Sequence, residues 1–149
     1  MRLMNDANIL LDVLMQRTGF YRDSSLIWKL CETRQAQGLV SVLSFANLVY
    51  IMRKELSPAQ IRSVREQLSL IFTFADLTSA DLQKASALLW DDFEDALQAV
   101  TAQRLHAEYI VTRNPKDFAA SSIPAITPSK LLPLLRLQRY QEAMQHSVF

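Results

Sequence analysis

Short, almost wholly apolar runs of strand length recur along this chain, separated by stretches with helical spacing. Leu39-Val40-Ser41-Val42-Leu43 and Tyr109-Ile110-Val111-Thr112 are the clearest of them. A strand apolar along its length is buried on both faces, which suits a parallel sheet with helices packed on either side. Right-handed crossovers then bring the C-terminal end of every strand to one edge. The pattern therefore predicts an α/β fold of three layers, α/β/α, around a central, mostly parallel sheet of four to five strands.

Read in order, Arg2-Leu3-Met4 is a first strand, running through Asn5-Asp6-Ala7-Asn8 into a helix from Ile9 to Met15. A loop around Gly19 follows. Asp23 or Ser24 then caps a helix that buries Leu26, Ile27, Leu30 and Cys31 and is closed by Gly38. Trp28 falls off that face and is available to a neighbouring helix or a partner. After the 39–43 strand, Ser44 caps a helix from Phe45 to Met52 that ends in Arg53-Lys54-Glu55. Ser57-Pro58 starts another, with serine as cap and proline at the first helical position. Leu70 to Ala75 reads as a third strand, and Thr78 caps a helix over Leu82 to Leu89. A further helix carries Leu97, Val100, Thr101 and Leu105 on one face and leads into the 109–112 strand. Ile123-Pro124-Ala125-Ile126 is a short edge strand marked by its proline. Thr127-Pro128 begins a last helix over Lys130 to Leu135.

Composition narrows the function classes. At 149 residues the chain is the size of one domain and can bury a core without staples. Sixteen basic against fifteen acidic side chains advertise no polyanion partner, so any nucleic-acid contact rests on a local patch. One cysteine excludes an internal disulfide. With two glycines there is no room for a Gly-rich phosphate loop. No stretch approaches the ~18 apolar residues of a membrane span, and Met1-Arg2 leads into an apolar run broken at Asn5 and Asp6, unlike a secretory leader. A cytoplasmic protein is expected. No Ser-His-acid arrangement is visible, and His106 and His146 lack a partner at metal-ligand spacing.

Acids are concentrated where this topology would place a site. Asp6 ends strand one, Asn47 lies one turn into the helix after strand two, and Asp95 begins the helix before strand four. Asn114 and Asp117 stand just past that strand. A simpler reading competes at each: Asp6 and Asp92 suit helix caps, and Asp91, Glu94 and Asp95 suit a helix N-terminus. Asp12 reads as surface. Tyr50, Arg53 and Lys54 on the Asn47 helix, and Arg113 and Lys116 beside Asp117, either track a phosphate backbone or merely end helices.

Three segments carry a resemblance: N-D-A-N-I-L-L-D from Asn5, D-F-E-D-A-L-Q-A from Asp92 and Y-I-V-T-R-N-P-K-D-F from Tyr109. In order, spacing and placement they resemble the first, third and fourth motifs of PIN domains, in particular the small bacterial proteins related to VapC toxins. The resemblance spans Arg2 to Leu135 and implies a PIN-like domain over 1–135. It implies a metal-dependent endoribonuclease acting on single-stranded RNA, the toxin of a toxin–antitoxin pair, with an antitoxin partner and a homodimeric assembly. Carried over by position, Asp6, Asp95 and Asp117 become the catalytic acids and ligands of Mg²⁺ or Mn²⁺. Asn114 and Asn47 join the ligand set, Asn8 and Thr112 orient ligands or phosphate, and Arg53, Lys54, Arg113 and Lys116 contact substrate. Such hard cations prefer oxygen donors, so clustered carboxylates suit them.

Two departures stand out. The second motif normally supplies an acid where this chain has Asn47, and Ala7 replaces a usual threonine in the first. An amide oxygen ligates without charge, so weaker metal binding follows, and a degenerate PIN domain that binds RNA or a protein without cutting is the competing reading. A purely structural adaptor is a third. Beyond the domain, residues 136–149 form an extension whose Leu137, Tyr140 and Met144 share a helical face with Leu134 and Leu135 before it, packed on the domain or on a partner.

Overall fold

The computed structural model describes residues 1–146. Five strands, β1 (Arg2–Asn5), β2 (Gln37–Ser41), β3 (Phe72–Ala75), β4 (Tyr109–Val111) and β5 (Ala125–Ile126), form one sheet in the order β3-β2-β1-β4-β5. Every pairing is parallel, as the apolar runs require. The helices are α1 (Ala7–Leu14), α2 (Tyr21–Glu32), α3 (Val42–Ile51), α4 (Pro58–Ile71), α5 (Ser79–Ala87), α6 (Phe93–Arg104) and α7 (Pro128–His146), with a 3₁₀ turn over Pro115–Phe118. Among the described residues, no helix is long and apolar enough to cross a membrane.

Both faces of the sheet are dry, and successive strand residues feed opposite cores. Leu3, Val40 and Val111 join Leu10, Ile27, Leu48, Leu68 and Leu131 on one side. Met4, Leu39 and Ile110 meet Ala99, Ala102 and Phe118 on the other. The period of two along a strand explains the alternation. Helix α6 is buried almost all round: Ala99 and Ala102 face the sheet, while Ala96, Leu97 and Val100 pack with Ala85 of α5. Its small side chains let it fit between two layers. Arg104 at its end forks onto the buried Asp81 of α5, with Nε 3.0 Å from Oδ1 and Nη2 3.0 Å from Oδ2.

Several local expectations shift by a few residues, each for a packing reason. Helix α2 starts at Tyr21, with Phe20 at its cap position, so neither Asp23 nor Ser24 caps it. It ends at Glu32 rather than at Gly38. Arg34 takes the left-handed turn there, at φ 63°. Gly38 is instead the second residue of β2, paired with Leu3 on one side and Phe72 on the other. Strand β2 gives way to α3 at Val42. Ser41, not Ser44, is the cap, and its hydroxyl accepts from the Ser44 amide at 3.0 Å. Leu70 and Ile71 belong to α4, leaving β3 as Phe72–Ala75. Ser57 and Thr78 do cap α4 and α5, each with a reciprocal bond from the residue three on. Trp28 turns inward and meets Phe72 edge-on at 5.3 Å. The last helix runs on through Pro133 to His146, so the 136–149 extension continues α7 as far as the chain is described; residues 147–149 lie outside the described residues.

Asp12 overturns its surface reading. It is fully buried, accepts from Ser24 Oγ at 2.9 Å, and lies 3.7 Å from both Arg17 and Arg113. A carboxylate is stable there because the Ser24 hydroxyl bonds one oxygen and two guanidinium groups balance its charge.

A methyl group on Gly38 would sit 2.5 Å from Phe72 Cδ1 and 2.8 Å from Cys31 Sγ, both in the core. Gly38→Ala is therefore expected to destabilise the protein by about 1–3 kcal/mol through overpacking, read as a lower urea midpoint. An unchanged midpoint would mean that β2 and β3 part at no cost.

Candidate metal centre

Strand order places a crevice beside β1. The chain leaves β1 toward β2 on one side and returns to β4 on the other, and ligands of open parallel sheets bind at such a reversal, beyond the strands' carboxyl ends. The register sets Asn5 against Val111, and the Asp6 amide donates to Val111 O at 2.9 Å. Asp6 therefore emerges beside the residues that follow β4.

Asp6 occupies the cap position of α1, but its side chain makes no cap hydrogen bond. Its carboxylate instead accepts from the buried Thr112 hydroxyl at 2.9 Å, across 106 residues of chain. Thr112 Oγ1 in turn accepts from the Asn114 amide at 3.2 Å, which ties the turn after β4 to the same point. Burial raises the Asp6 pKa above the usual carboxylate range. Bonds from Thr112 and the Ala7 amide, and the Arg113 charge, oppose that rise, whereas the Asp117 charge adds to it.

Capping of α6 falls to Asp92, whose side chain accepts from the Asp95 amide at 3.0 Å. Asp95 is half-buried, and among the described residues its carboxylate has no hydrogen-bond or ion partner. Its pKa is pushed up to about 7, first by burial and then by the charges of Asp92, Asp6, Asp117 and Glu94. Asp6, Asp95 and Asp117 thus lie near enough to repel one another. Asp117 is exposed on the 3₁₀ turn and joins Asp95, Asp91, Lys116, Leu89 and Trp90 in lining a cavity of about 480 Å³.

The other candidates divide. Asn8 Oδ1 accepts from Arg17 at 3.0 Å and from Arg113 at 3.2 Å, so it holds guanidinium groups. Arg113 also stacks 4.2 Å over the Phe20 ring beside Asp12, which makes it part of the wall behind Asp6. Arg53 folds back on its own helix, donating to Tyr50 O at 2.7 Å and covering the Tyr50 ring; Lys54 beside it is exposed. Lys116 alone of the four cations borders the cavity. Asn47 Nδ2 donates to Glu94 Oε1 at 3.1 Å.

The sequence reading passed over Leu89 and Trp90 as wall residues. Leu89 is 88% exposed at φ 56°, a conformation that a branched side chain adopts only under constraint, and Trp90 meets Phe118 edge-on. A bulky apolar residue next to a run of acids was the available signal.

The donor set fits a hard divalent cation: oxygens only, with negative charge at Asp95 that lacks a counter-charge among the described residues. Among the described residues, no three acidic, histidine or cysteine side chains are arranged tightly enough to grip an ion as they stand. Binding would draw the carboxylates together, against a repulsion that the cation itself removes.

The PIN domain family model matches residues 2–116, most of the chain. The protein is a member of the PIN domain family. Among solved structures, the PIN domain resembles a toxin–antitoxin complex from Klebsiella pneumoniae at 26% identity and a TM-score of 0.65, covering 85% of this chain and 97% of that one. It shares its fold with VapBC2 from Rickettsia felis, bound to a DNA fragment from their promoter (20% identity, TM-score 0.61, 85% and 98% covered). FitAcB from Neisseria gonorrhoeae is a further match in fold (17%, TM-score 0.58, 85% and 97% covered). No curated protein matches the chain.

In the metal-free PIN domain the fold keeps a proton on Asp95 to about pH 7, whereas an unfolded aspartate releases it near 3.8. Between these values the folded state binds more protons, so stability falls as pH rises from about 4 to about 7. Asp6, also raised, acts in the same direction. In EDTA, Asp95→Asn is expected to flatten the fall in melting temperature across that window and to melt above the parent protein at pH 8. Parallel curves for the two proteins would show that Asp95 is not crowded.

Proposed function

We propose that this protein is a Mg²⁺- or Mn²⁺-dependent endoribonuclease that hydrolyses single-stranded RNA, acting as the toxin of a toxin–antitoxin pair in the cytoplasm. The observation that carries this reading is the mutual repulsion of Asp6, Asp95 and Asp117 at the sheet's crevice, in a chain of the PIN family. Asp6, Asp95 and Asp117 would hold the metal, with Asn114 and Asn47 at its border. When bound, such an ion lowers the pKa of a coordinated water and neutralises charge on a phosphodiester. The chain supplies the rest. Thr112 fixes the orientation of Asp6, and Arg113, braced by Asn8, Asp12 and Phe20, sets the field around it. Asp95, crowded by acids while the site is metal-free, gains the counter-charge it lacks when a cation binds. Lys116 at the cavity wall is placed to meet a backbone phosphate, with Arg53 and Lys54 as more distant contacts.

The partner on this reading is an antitoxin protein and the assembly a homodimer. Both come from the family resemblance and from the toxin–antitoxin complex that the chain matches. Residues 1–135 form the nuclease unit, and the exposed Leu137 and Tyr140, next to Leu134, make the 136–149 extension the natural contact. The degenerate, non-cleaving PIN domain is the reading that Asn47 favours, since an acid is missing there.

Purified protein with millimolar Mn²⁺ is expected to cut a single-stranded RNA oligonucleotide internally, and EDTA to stop it. Asp6→Asn and Asp95→Asn should each lower cleavage by more than about 100-fold, beyond the loss typical of outer-shell partners of a metal. Mn²⁺ binding without cleavage would instead establish the binding-only PIN domain.

A further inference from the structure

We infer that Glu94 supplies the acid that this chain's second motif lacks, and that Asn47 is its positioning residue rather than a ligand of the cation. The inference rests on the metal-dependent reading above and assigns a role within that site.

The two residues stand 47 positions apart, on α3 and in the first turn of α6, yet Asn47 Nδ2 lies 3.1 Å from Glu94 Oε1. The direction of this bond follows from chemistry. An ionised carboxylate only accepts, so the amide must present its NH₂ group to Glu94. Asn47 thereby uses one of its two N–H donors to hold an acid. An aspartate at position 47 would set two like charges at hydrogen-bonding distance and drive Glu94 away. Asparagine there and glutamate at 94 are thus complementary: the acid expected on α3 is carried by α6, at the same junction between the two helices.

Glu94 has little other structural use. Favourable contact with the α6 dipole would explain an acid in the first turn, but not its bond to a residue of α3. Among the described residues, no Lys or Arg pairs with Glu94. It is exposed, bonded across to α3, and Asp95, its neighbour in the chain, feels its charge. A carboxylate held by an amide, without a counter-ion among the described residues and next to Asp95, is placed to share a cation with it.

The test is Mn²⁺ affinity measured by calorimetry on the full chain, with circular dichroism as a check on folding. Glu94→Gln keeps an acceptor for Asn47 and removes only the charge. It should weaken Mn²⁺ binding at least about tenfold, the lower end of the range for groups supporting a metal site. Asn47→Ala should weaken binding in the parent protein but cost nothing further in the Glu94→Gln background, because the amide acts through Glu94. Asn47→Asp combined with Glu94→Gln should regain most of the affinity by returning the acid to α3. The inference is overturned if Glu94→Gln binds Mn²⁺ as tightly as the parent. It is equally overturned if Asn47→Ala costs the same factor in both backgrounds, since the amide would then be the ligand. Should Asp95→Asn abolish Mn²⁺ binding while Glu94→Gln leaves it intact, only this inference fails. A parent protein that binds no Mn²⁺ removes the metal-dependent function and this assignment together.

Discussion

The parallel pairing of β1 with β4 is the contact on which everything else in this molecule depends. It joins the first strand to one more than a hundred residues later and sets Asn5 against Val111. Asp6 and Thr112 then leave the sheet side by side, and one hydrogen bond between them links the start of the chain to the turn that carries Asp117. Shifting the register by one residue would reverse the faces of Leu3 and Met4, exchange the two cores and break the Asp6–Thr112 bond. Core packing and site geometry are therefore fixed by the same pairing.

That pairing also generates an electrostatic conflict. Asp6 and Asp95 lie on different elements, each partly cut off from water, and each feels Asp117. A fold selected only for stability would place a lysine or arginine among them. The nearby guanidinium of Arg113 is instead occupied with Asp12, Asn8 and the Phe20 ring. Among the described residues Asp95 keeps no counter-charge, and the protein tolerates that cost because α6 is fastened elsewhere, by its alanine face on the sheet and by the Arg104–Asp81 fork to α5.

Much of this was legible in one dimension, and the misses are instructive. The strands, the serine and threonine caps of α4 and α5, and the placement of Asp6, Asp95 and Asp117 along one sheet edge follow from periodicity and residue chemistry. Gly38 was misread because a glycine after a helix usually closes it. Here its missing side chain makes room for Phe72 and Cys31, which no local pattern reveals. Asp12 was misread because its partners, Ser24, Arg17 and Arg113, come from three other segments. Glu94 does stand at a helix start, as its position suggests, but its bond to Asn47 on a distant helix has no signal in the local sequence.

By itself, then, the sequence determined the layered parallel architecture and the edge on which oxygen-bearing side chains gather. Both are written in short-range periodicity and in the handedness of crossovers. Tertiary structure decided which of those side chains are spoken for. Asp92 caps, the buried Asp12 balances two half-buried arginines, Asn47 grips Glu94, and Asp95 is left crowded and, among the described residues, without a counter-charge. Such assignments depend on distances between residues tens to a hundred positions apart. Those distances are set by strand order and helix packing, to which local sequence has no access.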